Sequence, residues 1–426
     1  MTRSKKPAST RKKALRTGRK TKAKTVSSPR LASKTAKSVT QGAEKKKSAA
    51  SKTAARKSTR KSAVRNVLTK PTGARVRKTS ASKHGPVIAL TGATGFLGRH
   101  LVDILLREHA TAATKPHLRA LVRQPSLFLE QRGVSLIQGD VCDTRACERL
   151  CVGADQVYHV AGLVSRNPTD GPKMYKVHVD GTRSLLQAAH SAGVRRVTVV
   201  STSGTVGVSR NPDELSNEES PYRYAIVSKW PYYLSKIYQE RAALDFATHS
   251  GLEVVIVNPT LLVGPGDDRL SSTGDIDKVV RGRLPMIPRG GGVAWVDVRD
   301  AAAGVFLAMH KGVSGERYLL NGSNMTLDAF LGRVARLAGV PTPRSFATSQ
   351  AIRSAGRLVE ALFRHFDAQP PMDTQSLEMA EHTWYVDASK AKSALGFSTR
   401  DPQHTLVDTV RDIKKRRGLL EDVRAV

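Results

Sequence analysis

The strongest constraint on this chain is a glycine-rich turn set between a short apolar strand and an amphipathic helix. Pro86-Val87-Ile88-Ala89-Leu90 reads as a fully buried strand and runs directly into Thr91-Gly92-Ala93-Thr94-Gly95-Phe96-Leu97-Gly98. Leu97, Leu101, Ile104 and Leu105 then recur at helical spacing. Strand, glycine turn and helix together turn a glycine pattern into a specific signal. Gly92 permits the tight turn, Gly95 lets the backbone approach a pyrophosphate, and Gly98 lets the helix pack closely on the strand. Free N–H groups and the dipole at the start of that helix favour an anion. Thr94, Phe96 and Leu97 belong to the same predicted dinucleotide-contact set.

Further strands are expected at Leu118–Val122, Val134–Gln138, Gln156–Val160, Arg196–Val200 and Glu253–Val257, with helical patterns between several of them. Such alternation implies an α/β fold, a Rossmann-type doubly wound parallel sheet. The expected organisation is a tail over 1–85, a nucleotide-binding core over 86–257 and, over 258–426, a smaller and mostly helical substrate lobe with returning core elements.

Charge sets the tail apart. Residues 1–85 hold 28 of the 70 Lys+Arg and a single acid, Glu44, and they lack Phe, Tyr and Trp. A segment so poor in apolar surface cannot offset the entropy of ordering, so disorder is expected. Its composition resembles the lysine-rich tails of linker histones, and it is suited to non-specific contact with nucleic acid or another polyanion. Three cysteines, Cys142, Cys147 and Cys151, exclude a dense disulfide scaffold and match no common zinc spacing, so no metal is expected. With no apolar run of membrane-spanning length and no apolar leader, the expectation is a cytoplasmic protein without a membrane span.

Beyond the tail, the motifs resemble those of the extended short-chain dehydrogenase/reductase family, also called NAD-dependent epimerase/dehydratases. After TGATGFLG come Gly139-Asp140-Val141, VYHVAG at 157–162, VDGTRSLLQAA at 179–189 and VVSTSGTV at 199–206. YYLSK at 232–236, NPTLLVGPGD at 258–267 and WVDVRDAAAG at 295–304 complete the series. The pattern is most similar to dihydroflavonol-reductase-like and hopanoid-associated sugar-epimerase-like proteins. The resemblance implies a catalytic set of Ser203, Tyr232 and Lys236, with Thr205 as the fallback for Ser203. It further implies cofactor contacts from Asp140, Val141, Ala161, Gly162, Tyr232, Lys236, Asn258 and Pro259.

The chemistry fits the spacing. Tyr232 and Lys236 lie four apart in a segment that turns helical after Pro231, so they share one face. An ammonium beside a phenol stabilises phenolate and brings proton exchange toward neutrality. Ser203 would hold the substrate oxygen whose proton Tyr232 handles. His178 stands where the family often has Asn, and is expected to be a packed helix residue rather than a hydrogen-bonding replacement. Sugar 4,6-dehydratases carry an acidic pair where this chain has Gly204 and Thr205, which argues against dehydration.

Arg123 follows the second strand where an acid would bind the adenosine ribose, so NADP is favoured over NAD, with Arg99 and Arg119 as candidate helpers. The expected activity is hydride transfer between NADP(H) and a carbonyl or alcohol substrate. Sugar epimerisation on a retained NAD is the alternative, and a cofactor-sensing or scaffold protein acting through the tail is a third reading. Arg281, Arg283 and Arg289 are candidate diphosphate ligands and Trp230 and Tyr233 candidate cleft walls; the resemblance makes a homodimer possible, and the sequence leaves the oligomeric state open.

Overall fold

The computed structural model describes residues 85–108, 115–284, 286–346 and 374–419. The expected disorder of residues 1–84 lies outside them. Seven strands form one parallel sheet: β1 (Val87–Thr91), β2 (His117–Val122), β3 (Ser135–Gln138), β4 (Gln156–His159), β5 (Arg196–Val200), β6 (Glu253–Pro259) and β10 (Arg317–Leu320). Their order is β10-β6-β5-β4-β1-β2-β3, so the winding reverses between β1 and β4. Open α/β sheets bind ligands at the carboxyl ends of their strands beside such a switch.

Side-chain alternation feeds two apolar layers. Ile88, Leu90, Val255 and Val257 face the layer made with helices Phe96–Glu108 and Val298–Lys311. Ala89, Val254 and Ile256 face the layer made with Thr144–Cys151, Gly181–Ser191 and Pro231–Ser250. Strands buried on both faces read as continuous apolar runs, which is why these segments were legible as core.

The remaining strands lie in the lobe, which is less helical than expected. Here β7 (Leu261–Val263), β9 (Gly292–Asp297) and β11 (Ser323–Thr326) form one small sheet, and β8 (Met286–Pro288) pairs with β12 (Arg344–Phe346). These pieces pack with helices Gly274–Val280, Leu327–Ala338 and Pro402–Arg416 around Trp295 and Phe330. The WVDVRD motif is structural here. Asp297 caps the helix Val298–Lys311 by accepting from the Arg299 N–H at 2.8 Å, and Arg299 ties Asp297 to Asp408 of the last helix. Among the described residues no helix is long and apolar enough to cross a membrane.

Candidate active site

A cleft of about 1390 Å³ opens at the carboxyl ends of the sheet strands. That exceeds the usual range for a single small ligand, about 300–1,000 Å³, and suits a dinucleotide together with a second molecule. The glycine turn forms one end. Gly92 has φ +73°, and a Cβ there would stand 2.6 Å from the Ala161 nitrogen, while a Cβ on Gly98 would stand 2.1 Å from the Gly92 carbonyl oxygen. Both positions therefore admit only glycine. The helix Phe96–Glu108 carries no acid in its first turn, so its N–H end stays open to an anion, as a pyrophosphate requires.

Of the residues expected at a cofactor, Gly92, Thr94, Gly95, Phe96, Leu97 and Gly98 line the cleft. So do Arg123, Asp140, Val141, Ala161, Gly162, Tyr232, Lys236 and Pro259. Asn258 does not. It falls on the β6 face shared by Val254 and Ile256, fully buried, where its amide donates to the Thr202 carbonyl at 2.9 Å and to Glu240 Oε1 at 2.7 Å. Its role is to brace the loop after β5. Arg123 is exposed at the cleft mouth, with no ion-pair partner among the described residues. Arg119 turns away: its Nη1 donates to the Arg149, Leu150 and Val152 carbonyls at the end of helix Thr144–Cys151. Arg99 is held by Asp268 and lies over the Phe128 ring.

Helix Pro231–Ser250 brings Tyr232 and Lys236 into the cleft lining. Ser203 lines it as well, from a 3-10 turn over Ser203–Thr205 that follows β5. Thr202, a residue outside the expected set, also lines the cleft, and its hydroxyl acts on the Tyr232 phenol. Thr205, the expected fallback, is fully buried and donates to the Thr202 carbonyl at 3.0 Å. Burial pushes the Tyr232 phenol above its ordinary value, and Thr202 pulls the other way. Lys236 is 4% exposed, and burial carries its amine down to about 7 against the opposing pull of Glu240.

Lys236 is fixed from behind. Its Nζ donates to the Val200 carbonyl at 3.0 Å and to Gln239 Oε1 at 2.8 Å. Gln239 Nε2 donates to Thr182 Oγ1 at 2.9 Å, and that hydroxyl lies 2.8 Å from His159 Nε2. His159 Nδ1 meets Thr91 Oγ1 at 2.8 Å, so a buried polar row runs from the lysine to the strand that opens the glycine turn. Burial, then the Lys236 charge, lowers His159 to about 3 and keeps the imidazole neutral.

His178 does more than pack. It sits in a π-helical turn, Lys176–Asp180, a distortion that often marks functional positions. The Leu163 N–H donates to its Nε2 at 3.0 Å, so the proton resides on Nδ1, which donates to Ser235 Oγ at 2.8 Å. The Ser235 hydroxyl in turn donates to the Tyr232 carbonyl at 2.8 Å. His178 thus holds the helix turn that carries the phenol, with its ring 5.8 Å from that of Tyr232.

Beside Tyr232, Tyr233 lines the cleft and Trp230 stands behind it, fully buried and outside the lining. Arg281, Arg283 and Arg289 also lie outside this cleft; the first two border a separate depression with Arg417.

Residues 88–320 match the model of the NAD dependent epimerase/dehydratase family. The chain is 33% identical to sterol demethylase protein B of Methylococcus capsulatus over 77% of its length and 98% of that protein. It is 30% identical to a putative dihydroflavonol 4-reductase of Synechocystis over 75% of its length and 92% of that protein. Among solved structures, UDP-glucose 4-epimerase of Thermus thermophilus in complex with NAD superposes with a TM-score of 0.59 at 21% identity, covering 78% of this chain and all of that one.

Proposed function

The chain belongs to the NAD dependent epimerase/dehydratase family, an enzyme family with reductase and epimerase relatives, and within it we propose that the protein is an NADPH-dependent carbonyl reductase. The observation that carries this reading is Arg123. It closes β2 at the cleft mouth, where a carboxylate would repel a 2′-phosphate and a free guanidinium attracts one. A cofactor bearing that phosphate is suited to a stoichiometric reductant.

A nicotinamide dinucleotide held by the glycine turn and Arg123 would supply the hydride. Tyr232 gives its phenolic proton to the carbonyl oxygen as the carbon accepts that hydride, so the product is the alcohol and the tyrosine is left as phenolate. Ser203, with Thr202 next to it in the cleft lining, positions the oxygen. Lys236, one helical turn on, stabilises the phenolate until water returns its proton. Gly204 separates this site from a dehydratase. A Cβ there would stand 2.2 Å from Tyr233 Cε1 and 3.0 Å from Trp384 Cζ3, so no acid fits.

The test is to denature the full-length protein, identify any released nucleotide, and assay NADPH against NADH oxidation over aldehydes and ketones. NADPH consumption at an initially empty site supports the reductase. Retained NAD, with inversion of a UDP-sugar and no consumption of NADPH, would overturn it. For the basic tail we propose non-specific polyanion contact, supported by its 28 cationic residues against one acid. Removing residues 1–85 is expected to abolish salt-sensitive DNA retention and preserve turnover.

A further inference from the structure

The substrate half of the cleft carries a chemistry of its own. Two rings stand beside the Tyr232 phenol: Tyr233, 5.0 Å away between centroids, and Trp384, 4.9 Å from Tyr233 and tilted from it by 35°. Trp230 stacks behind Trp384 at 5.6 Å, and the Trp384 indole N–H donates to the Met379 carbonyl at 3.1 Å. The polar atom of Trp384 is thereby occupied. Gly204 makes this wall possible, because any side chain there would collide with both rings. The cleft is also lined by Ile276, Leu284, Ile287, Val293, Phe330 and Leu331.

Part of the charge along the cleft is internally compensated, while Arg269 and Lys173 stand exposed in its lining with no ion-pair partner among the described residues. Asp275 pairs with Arg166 at 2.9 Å and with Lys278 at 3.2 Å, and Arg166 also donates to Ser376 at 3.2 Å. Outside the cleft, Arg281 and Arg417 share Asp277. A diphosphate calls for uncommitted guanidinium donors, as Arg269 could offer elsewhere in the cleft, but the ring wall beside Tyr232 supplies none. A hydrocarbon body calls only for dry, flat surface, which the rings and the aliphatic end provide.

Resting on the reductase reading, we propose that the substrate is a ketone or aldehyde with a bulky uncharged hydrocarbon body. Its carbonyl meets Tyr232, and its body lies along Tyr233 and Trp384 toward Phe330. The test uses the full chain saturated with NADPH and n-alkan-2-ones of increasing length. The expected kcat/KM rises by about fourfold per buried methylene until the pocket is filled, and UDP-glucose does not compete. Trp384→Ala flattens that dependence and Trp384→Phe restores it. Tryptophan fluorescence of the NADP-loaded protein reads binding apart from turnover. Length-ordered binding without NADPH oxidation would sink the reductase reading and support the apolar pocket. NADPH oxidation independent of chain length, competition by UDP-glucose, or an unchanged slope in Trp384→Ala would overturn the pocket and leave the reductase standing.

Discussion

Gln239 Oε1 accepts a hydrogen bond from Lys236 Nζ at 2.8 Å, and through Gln239 the lysine is joined to Thr182 and His159. The contact favours the charged amine, because it is an acceptor for an N–H bond. Gln239→Leu removes it and leaves Thr182 without its donor. The expected result is a fall in kcat/KM of about tenfold, in line with the cost of an unmet buried hydrogen bond. The alkaline limb of the pH profile moves to lower pH, since the amine loses its proton more easily. Gln239→Glu moves it up. A limb that stays in place in both variants would contradict this role for Gln239.

Gly204 is the second sharp constraint. With Tyr233 Cε1 only 2.2 Å from where a Cβ would lie, Gly204→Ala must displace the ring wall. Overpacking of this kind costs about 1–3 kcal/mol, so a clear drop in the midpoint of urea unfolding is expected. An unchanged midpoint would mean that Tyr233 and Trp384 move aside without cost.

The sheet and the glycine turn were legible because both are local. Continuous apolar runs mark the strands, and the collisions at Gly92 and Gly98 leave no other residue type possible. The bracing of the site was not legible, because it depends on which way a side chain points. Ser201-Thr202-Ser203-Gly204-Thr205 offers several hydroxyls, and only the 3-10 turn decides that Thr202 and Ser203 line the cleft while Thr205 turns out of it. Asn258 is expected at a cofactor, and only strand alternation places its side chain on the face toward Glu240. The π-helical turn at His178 carries no sequence signal, and Gln239 reads as one more polar residue on a long helix. In the lobe, strands of three residues such as β7 and β8 are too short to show a period.

Arg123 should govern cofactor choice. Arg123→Asp replaces a charge-assisted hydrogen bond of about 1.5–3 kcal/mol with repulsion. The ratio of kcat/KM for NADPH over NADH is therefore expected to fall by at least about tenfold. Comparing the two cofactors at one carbonyl substrate checks it, and an unaltered ratio would place the phosphate elsewhere.

The buried amine of Lys236 also leaves a mark on stability. Its folded value of about 7 lies below the ordinary 10.5, so between those limits the unfolded chain binds the extra proton. Stability then rises with pH across that window, as fewer protons must be stripped on folding at higher pH. Lys236→Met lacks this titration. The wild-type unfolding free energy minus that of the variant should increase from pH 7 to pH 10 and level off below pH 7. A difference that is flat with pH would mean that the amine keeps an ordinary proton affinity.

Most directly at stake is the phenol. In Tyr232→Phe the cleft, Lys236 and the glycine turn remain, and only the proton donor is gone. The decisive measurement is single-turnover NADPH oxidation by this variant, with NADPH affinity recorded alongside. We expect the rate to fall by about a thousandfold, within the span of general acid catalysis, with cofactor binding little changed; an undiminished rate would show that the proton comes from another group.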